Sequence, residues 1–115
     1  MNQCILTGNM GADPEIFYSS EGDPIASFNL AFRSSNKKNE TSWIKVTCFK
    51  KLAEICETYL HKGAKIAISG TLHQDKWEKD GEKRSNFKLI ANNIEFIKTD
   101  NRGFEEGQES NDVPF

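Results

Sequence analysis

Period-two alternation recurs along this chain and restricts its fold more than any other feature. In "PIASFNLAF", Ala26, Phe28, Leu30 and Phe32 fall on one side of an extended backbone. In "WIKVTCF", Ile44, Val46 and Cys48 fall on one side, and Trp43, Lys45, Thr47 and Phe49 on the other. "KIAISGTLHQDKW" predicts a long strand with Ile66, Ile68, Gly70 and Leu72 inward. "QCILTGNMG" reads as an opening strand ending at Gly8 and Gly11, where backbone can bend or approach another chain. "SSEGDP" is a turn, "RSSNKKNETS" is a loop without an apolar anchor, and Asp80-Gly81 suits a hairpin tip. "SNFKLIANN" and "IEFIK" return as closing strands.

A single helix interrupts this pattern. Leu52, Ile55, Cys56, Tyr59 and Leu60 recur at helical spacing in "KKLAEICETYLHKG". Its start carries no Ser, Thr or Asp cap, whereas Gly63 can take the left-handed conformation that ends a helix. Three strands, a helix and two more strands predict an all-β chain. The expected architecture is an OB-fold, a five-stranded Greek-key barrel with the helix between strands 3 and 4. An SH3-like barrel is the competing arrangement, but it rarely carries a helix of this length there.

The charges divide the chain in two. Residues 1–98 carry 14 Lys and Arg against 12 Asp and Glu, and residues 99–115 carry one Arg against five acids. A mildly basic domain over 1–98 therefore precedes an acidic tail over 99–115, where periodicity stops and disorder is expected. No apolar run approaches a membrane span, and "MNQCILTGNMG" lacks the character of a signal peptide, so a cytoplasmic protein is expected. Cys4, Cys48 and Cys56 fall on apolar-periodic segments without metal-ligand spacing, which favours buried reduced thiols. His61 and His73 have no Ser, Cys or carboxylate at suggestive spacing, and no glycine loop cradles a phosphate. No catalytic residue, metal or cofactor is expected.

The outward row of "WIKVTCF" is unusual, because it holds two large aromatics around a lysine where polar groups belong. Bases of a single-stranded nucleic acid stack on flat aromatic faces while cations follow the phosphates. A second hydrophobic layer or a dimer contact would use the same residues, and this stretch alone does not separate the readings. Trp77 beside Lys76 and Lys79, on a hairpin too polar to bury an indole, favours nucleic acid. The alternative there is a tryptophan covering the barrel mouth. At the other extreme, Phe115 ends a polar tail with no apolar neighbours to bury it. It either folds back onto the domain or fits a pocket on another protein.

With "LTGNMGADPE", "FKKLAEICETYLHKG", "ISGTL", "KWEKDGE" and the terminal "DVPF", the chain resembles the bacterial single-stranded DNA-binding protein family over essentially its whole length. That resemblance implies a homotetrameric OB-fold, associated with the nucleoid, around which single-stranded DNA wraps without sequence preference. It implies base stacking by Trp43, Phe49 and Trp77, and phosphate contacts by Lys45, Lys51, Lys62 and Lys76. It implies that Asp112, Val113, Pro114 and Phe115 recruit partner proteins of replication, recombination and repair. Two departures stand out: Asn36 replaces a usual stacking tryptophan, and Asp75 replaces a usual basic residue and would repel phosphate. Phe32 shares the inward face with Phe28 and Leu30, so it is not expected to replace that tryptophan. The rival readings are an OB-fold adaptor that mainly binds proteins and an RNA-binding OB-fold module, since DNA and RNA both offer stacking faces and phosphates.

Overall fold

The computed structural model describes residues 1–33 and 40–98. Six strands and one helix follow in the order β1 (Cys4–Met10), β2 (Glu15–Tyr18), β3 (Pro24–Arg33), β4 (Thr41–Phe49), α1 (Lys51–Tyr59), β5 (Lys65–Lys79) and β6 (Glu82–Lys98). The sheet runs β1-β5-β6-β4-β3-β2, and a further pairing of β1 with β3 closes it. Five strands therefore make the barrel, as the alternation predicts, and β2 is an addition to it. The outer edge of β3 is shared. Its first part, Pro24–Ser27, pairs with β2, and Leu30 and Ala31 pair with the end of β1.

Closure requires backbones to come close where β1 meets β3. A Cβ on Gly8 would lie 2.1 Å from the Ala31 carbonyl oxygen, so only glycine fits there. The alternating positions then fill the barrel: Ala26, Leu30, Val46, Cys48, Ile66 and Leu89 have no exposed surface. The helix covers one end through Ala53 and Cys56, both fully buried. The Cys56 thiol lies 3.5 Å from that of Cys48, and all three cysteines are unpaired as disulfides. The hydrogen bond with Cys56 and the loss of water push the Cys48 thiol well above its ordinary range. It stays protonated and behaves as packing.

Three details differ from the sequence expectations. The helix has no side-chain cap at its start, as expected, but it ends at Tyr59, with Leu60 already extended. Gly63 (φ 90°) serves the following turn instead of the helix end. The closing segments form one strand, β6, kept continuous by an extra residue at Asn92: Ala91 pairs with Gly70 and Asn93 with Ser69. Leu72 follows the inward alternation yet is exposed. From about that position β5 and β6 run past the barrel as a two-stranded hairpin, so no opposite wall covers it. The Asn2 side chain instead secures Leu72 at its backbone, accepting its N–H and donating to its carbonyl, each at 2.9 Å. At the hairpin tip, Lys79 pairs with Glu82 across Asp80 and Gly81, both at positive φ as a tight twisted turn requires.

Candidate nucleic-acid interface

Strand register assembles a single outward face from residues far apart in the chain. Paired residues of neighbouring strands point the same way, so each register line is a row across the sheet. The first row is Phe17–Ile25–Phe49, on β2, β3 and β4. The next is Ser27–Thr47–Ile90–Thr71, on β3, β4, β6 and β5. The third is Asn29–Lys45–Lys88–His73, on the same four strands. Ser27 and Thr47 are buried although they face out, because larger side chains rise on both sides. The outward face therefore sets a row of three hydroxyl residues and Ile90, the floor of a shallow trough, between an aromatic row and a lysine-bearing row.

Trp43 stands beyond the lysine-bearing row, opposite Ala31, with 57% of its surface exposed. Its ring leans over Gly11, where a Cβ would meet the ring edge at 2.5 Å. Glycine at this position is thus part of the indole's seat. Phe49 is 43% exposed and Trp77 45%. Trp77 continues the outward alternation of His73 and Asp75 along β5 and pairs with Arg84 on β6. The three sequence-predicted aromatics therefore belong to one continuous side of the molecule.

The predicted lysines are placed unequally. Lys45 lies in the third row, between Trp43 and Phe49 along β4. Lys51 is exposed at the start of α1, two residues after Phe49. Lys62 is exposed in the turn before β5, and its backbone N–H is accepted by the Asp13 carboxylate at 2.8 Å, near the Gly11 that seats Trp43. Lys76 is exposed but alternates to the reverse face of the hairpin from Trp77, beside Ser85. Asn36, Asp112, Val113, Pro114 and Phe115 lie outside the described residues.

Sequence reasoning missed Lys88 and the partners of His73 and Asp75. His73 does have a carboxylate partner: its Nε2 lies 3.4 Å from Asp75 Oδ1. The other oxygen, Oδ2, lies 3.4 Å from the Lys88 ammonium. Asp75 is therefore engaged with a cation of the lysine-bearing row and is not a bare negative charge. The i, i+2 spacing of His73 and Asp75 on a strand was the readable signal, since such residues share a face. Lys88 was readable too, as the outward neighbour of the inward Leu89. Among the described residues, no three His, Cys, Asp or Glu side chains gather to hold a metal ion. Nor is any helix among them long and apolar enough to cross a membrane.

A closed five-stranded barrel with an end-covering helix and an aromatic, ammonium-lined trough defines an OB-fold binding module. Residues 1–97 match the single-strand binding protein family, and the chain belongs to that family. Two relatives named single-stranded DNA-binding protein, from Neisseria meningitidis serogroups A and B, are each 32% identical over 93% of this chain and 68% of their own length. Among solved structures, the Plasmodium falciparum SSB complex with ssDNA superposes with a TM-score of 0.75 at 26% identity. That match covers 85% of this chain and 96% of the other.

Proposed function

We propose that this chain binds single-stranded DNA without sequence preference and protects it during replication, recombination and repair. The observation that carries the reading is the trough: exposed aromatic faces at both margins, with cations between them. Trp43, Phe49 and Trp77 offer stacking faces, and every base has a π-face to place on them, which makes binding tolerant of sequence. Lys45, Lys51 and Lys62 stand near the aromatics as phosphate partners. Lys76, on the reverse of the hairpin, suits a strand that wraps around the hairpin edge. The protein acts by binding and carries out no chemistry, without metal or cofactor, as a homotetramer in the nucleoid-associated cytoplasm. Assembly is supported by β1, whose residues before Asn9 pair, among the described residues, with β5 alone, beside the exposed Ile5.

Residues 1–98 form the DNA-binding domain, and the acidic 99–115 segment recruits partner proteins through Asp112, Val113, Pro114 and Phe115. An aromatic ring beside acidic side chains fits a pocket with a basic rim on a partner, a known form of short-motif capture. The test of the DNA reading is titration of intrinsic tryptophan fluorescence with single-stranded DNA, duplex DNA and RNA at several salt concentrations. Single-stranded DNA is expected to quench strongly, and affinity is expected to fall as salt rises because counterions are released. Trp43→Ala and Trp77→Ala should each weaken binding by about 1–3 kcal/mol. Wild-type affinity in both folded variants would refute the stacking role, and a flat salt response would favour a protein-binding adaptor.

A further inference from the structure

We propose that Phe17 on β2 is a further base-stacking position, extending the interface to the free edge of the sheet; this rests on the single-stranded DNA reading above. The register puts Phe17, Ile25 and Phe49 in one row on the outward face. Phe17 is 51% exposed, more than Phe49 at 43%, and Ile25 between them is half-buried. Two strand spacings separate the rings, roughly 10 Å. Stacked bases lie roughly 3.4 Å apart, so bases on Phe17 and Phe49 are not stacked neighbours, and the strand crosses Ile25 between them.

The row is held in place. Four register pairs fix β2 against β3. The turn between them is tied by Ser19, whose backbone N–H donates to the Asp23 carbonyl at 2.8 Å and whose Oγ accepts from Asp23 N–H at 3.1 Å. The backbone that carries the ring is thus fixed before a base arrives, which lowers the ordering cost of stacking. Charges set the course of the backbone. Lys50 and Lys51, both exposed, directly follow Phe49, and the Lys50 N–H donates to the Pro24 carbonyl at 2.9 Å, beside the row. Glu15 shares the outward face of β2 with Phe17 but pairs with Ser27 of the trough floor. Phosphates therefore run on the Lys50 and Lys51 side of Phe17, away from Glu15.

The experiment titrates the full chain with oligodeoxythymidines of increasing length, comparing wild type, Phe17→Ala and Trp43→Ala, with thermal melts and light scattering on each. Phe17→Ala is expected to melt and assemble like wild type. It should weaken binding to the longer oligomers by about 5- to 150-fold, the range of one lost base stack, with little change for the shortest that still bind. A chain carrying Phe17→Trp together with Trp43→Phe and Trp77→Phe has a single indole, at position 17. Quenching of that indole by the long oligomer supports the proposal even if Phe17→Ala proves unstable. If Trp43→Ala weakens binding while Phe17→Ala binds normally and the lone indole stays bright, the proposal falls and the DNA reading survives. Should wild type fail to bind any oligomer, both fall together. If Phe17→Ala changes only the assembly state, the row is a contact between copies and the proposal is overturned.

Discussion

Removing the charge of Asp75 should tighten DNA binding, and the structure provides the size of the effect. Asp75 Oδ2 lies 3.4 Å from the Lys88 ammonium, with side chains 45% and 26% exposed respectively. Two unit charges at that separation attract by about 1 kcal/mol in water and about 5 kcal/mol at an effective dielectric near 20. Partial exposure puts this pair towards the lower figure, where such pairs are worth about 0–1 kcal/mol. Asp75→Asn releases Lys88 for a phosphate and also removes a negative charge beside the strand. Together these amount to about 1–2 kcal/mol, or about 5- to 30-fold in Kd at low salt. One added phosphate contact should steepen the slope of log affinity against log salt by about 0.7. The assay is fluorescence titration over a salt series for wild type, Asp75→Asn, Lys88→Ala and the double variant. Lys88→Ala should matter little in wild type, where Asp75 occupies the ammonium, and more when Asp75 is Asn. Additive effects would mean that Asp75 merely repels DNA. Unchanged affinity and slope in Asp75→Asn would refute the pairing argument altogether.

Other outcomes are as accessible. Gly11→Ala should leave the fold intact but shift the Trp43 emission and weaken DNA binding, by up to the full loss expected for Trp43→Ala, because the new methyl meets the ring edge at 2.5 Å; unchanged emission and affinity would contradict that. In the native protein, a thiol reagent should label the half-buried Cys4 first and the buried Cys48 and Cys56 only on unfolding. Because the Cys48 pKa is raised in the fold, its stabilising effect is whole below the unfolded thiol pKa of about 8.5 and declines above it, as only the unfolded state loses the proton. Denaturant midpoints measured from neutral to alkaline pH should therefore fall, less so in Cys48→Ala. Phe115→Ala should remove most partner proteins from a pull-down while leaving DNA affinity unchanged, and an unaltered set of captured proteins would exclude the ring as the recruiting group.

Much of the barrel was legible because its strands are amphipathic over several residues. Ala26, Phe28 and Leu30, then Val46 and Cys48, then Ile66 and Ile68, alternate inward in sequence and are buried in the structure. β2 escaped notice because "EIFY" is only four residues long, and of these only Ile16 packs against the core. A single inward residue makes no period. Leu72 misled for the opposite reason: its alternation is perfect, but the barrel wall stops short of it. In the candidate site, Trp43, Phe49 and Trp77 stand out as residue types in improbable surroundings. The Asp75–Lys88 pair and the Phe17–Ile25–Phe49 row do not, because both depend on which strands lie side by side. Long-range pairing is decided by closure, and local periodicity carries no record of it.

The way the barrel closes also bears on how the protein is made. Cys4 pairs with Gly70, and Lys45 gains Lys88 as its neighbour only through the parallel contact of β4 with β6. A chain emerging from a ribosome therefore shows β1, β3 and β4 before the strands that complete them exist. The β5–β6 hairpin is local and should zip within about 1–10 μs of its appearance, whereas joining it to both β1 and β4 requires slow long-range contacts. The trough does not develop in stages, since part of its lysine-bearing row arrives with the last strand. A pause in synthesis just after Phe49 would leave apolar strand edges open to the same segment of a neighbouring nascent chain, and such encounters are an early route to misassembly.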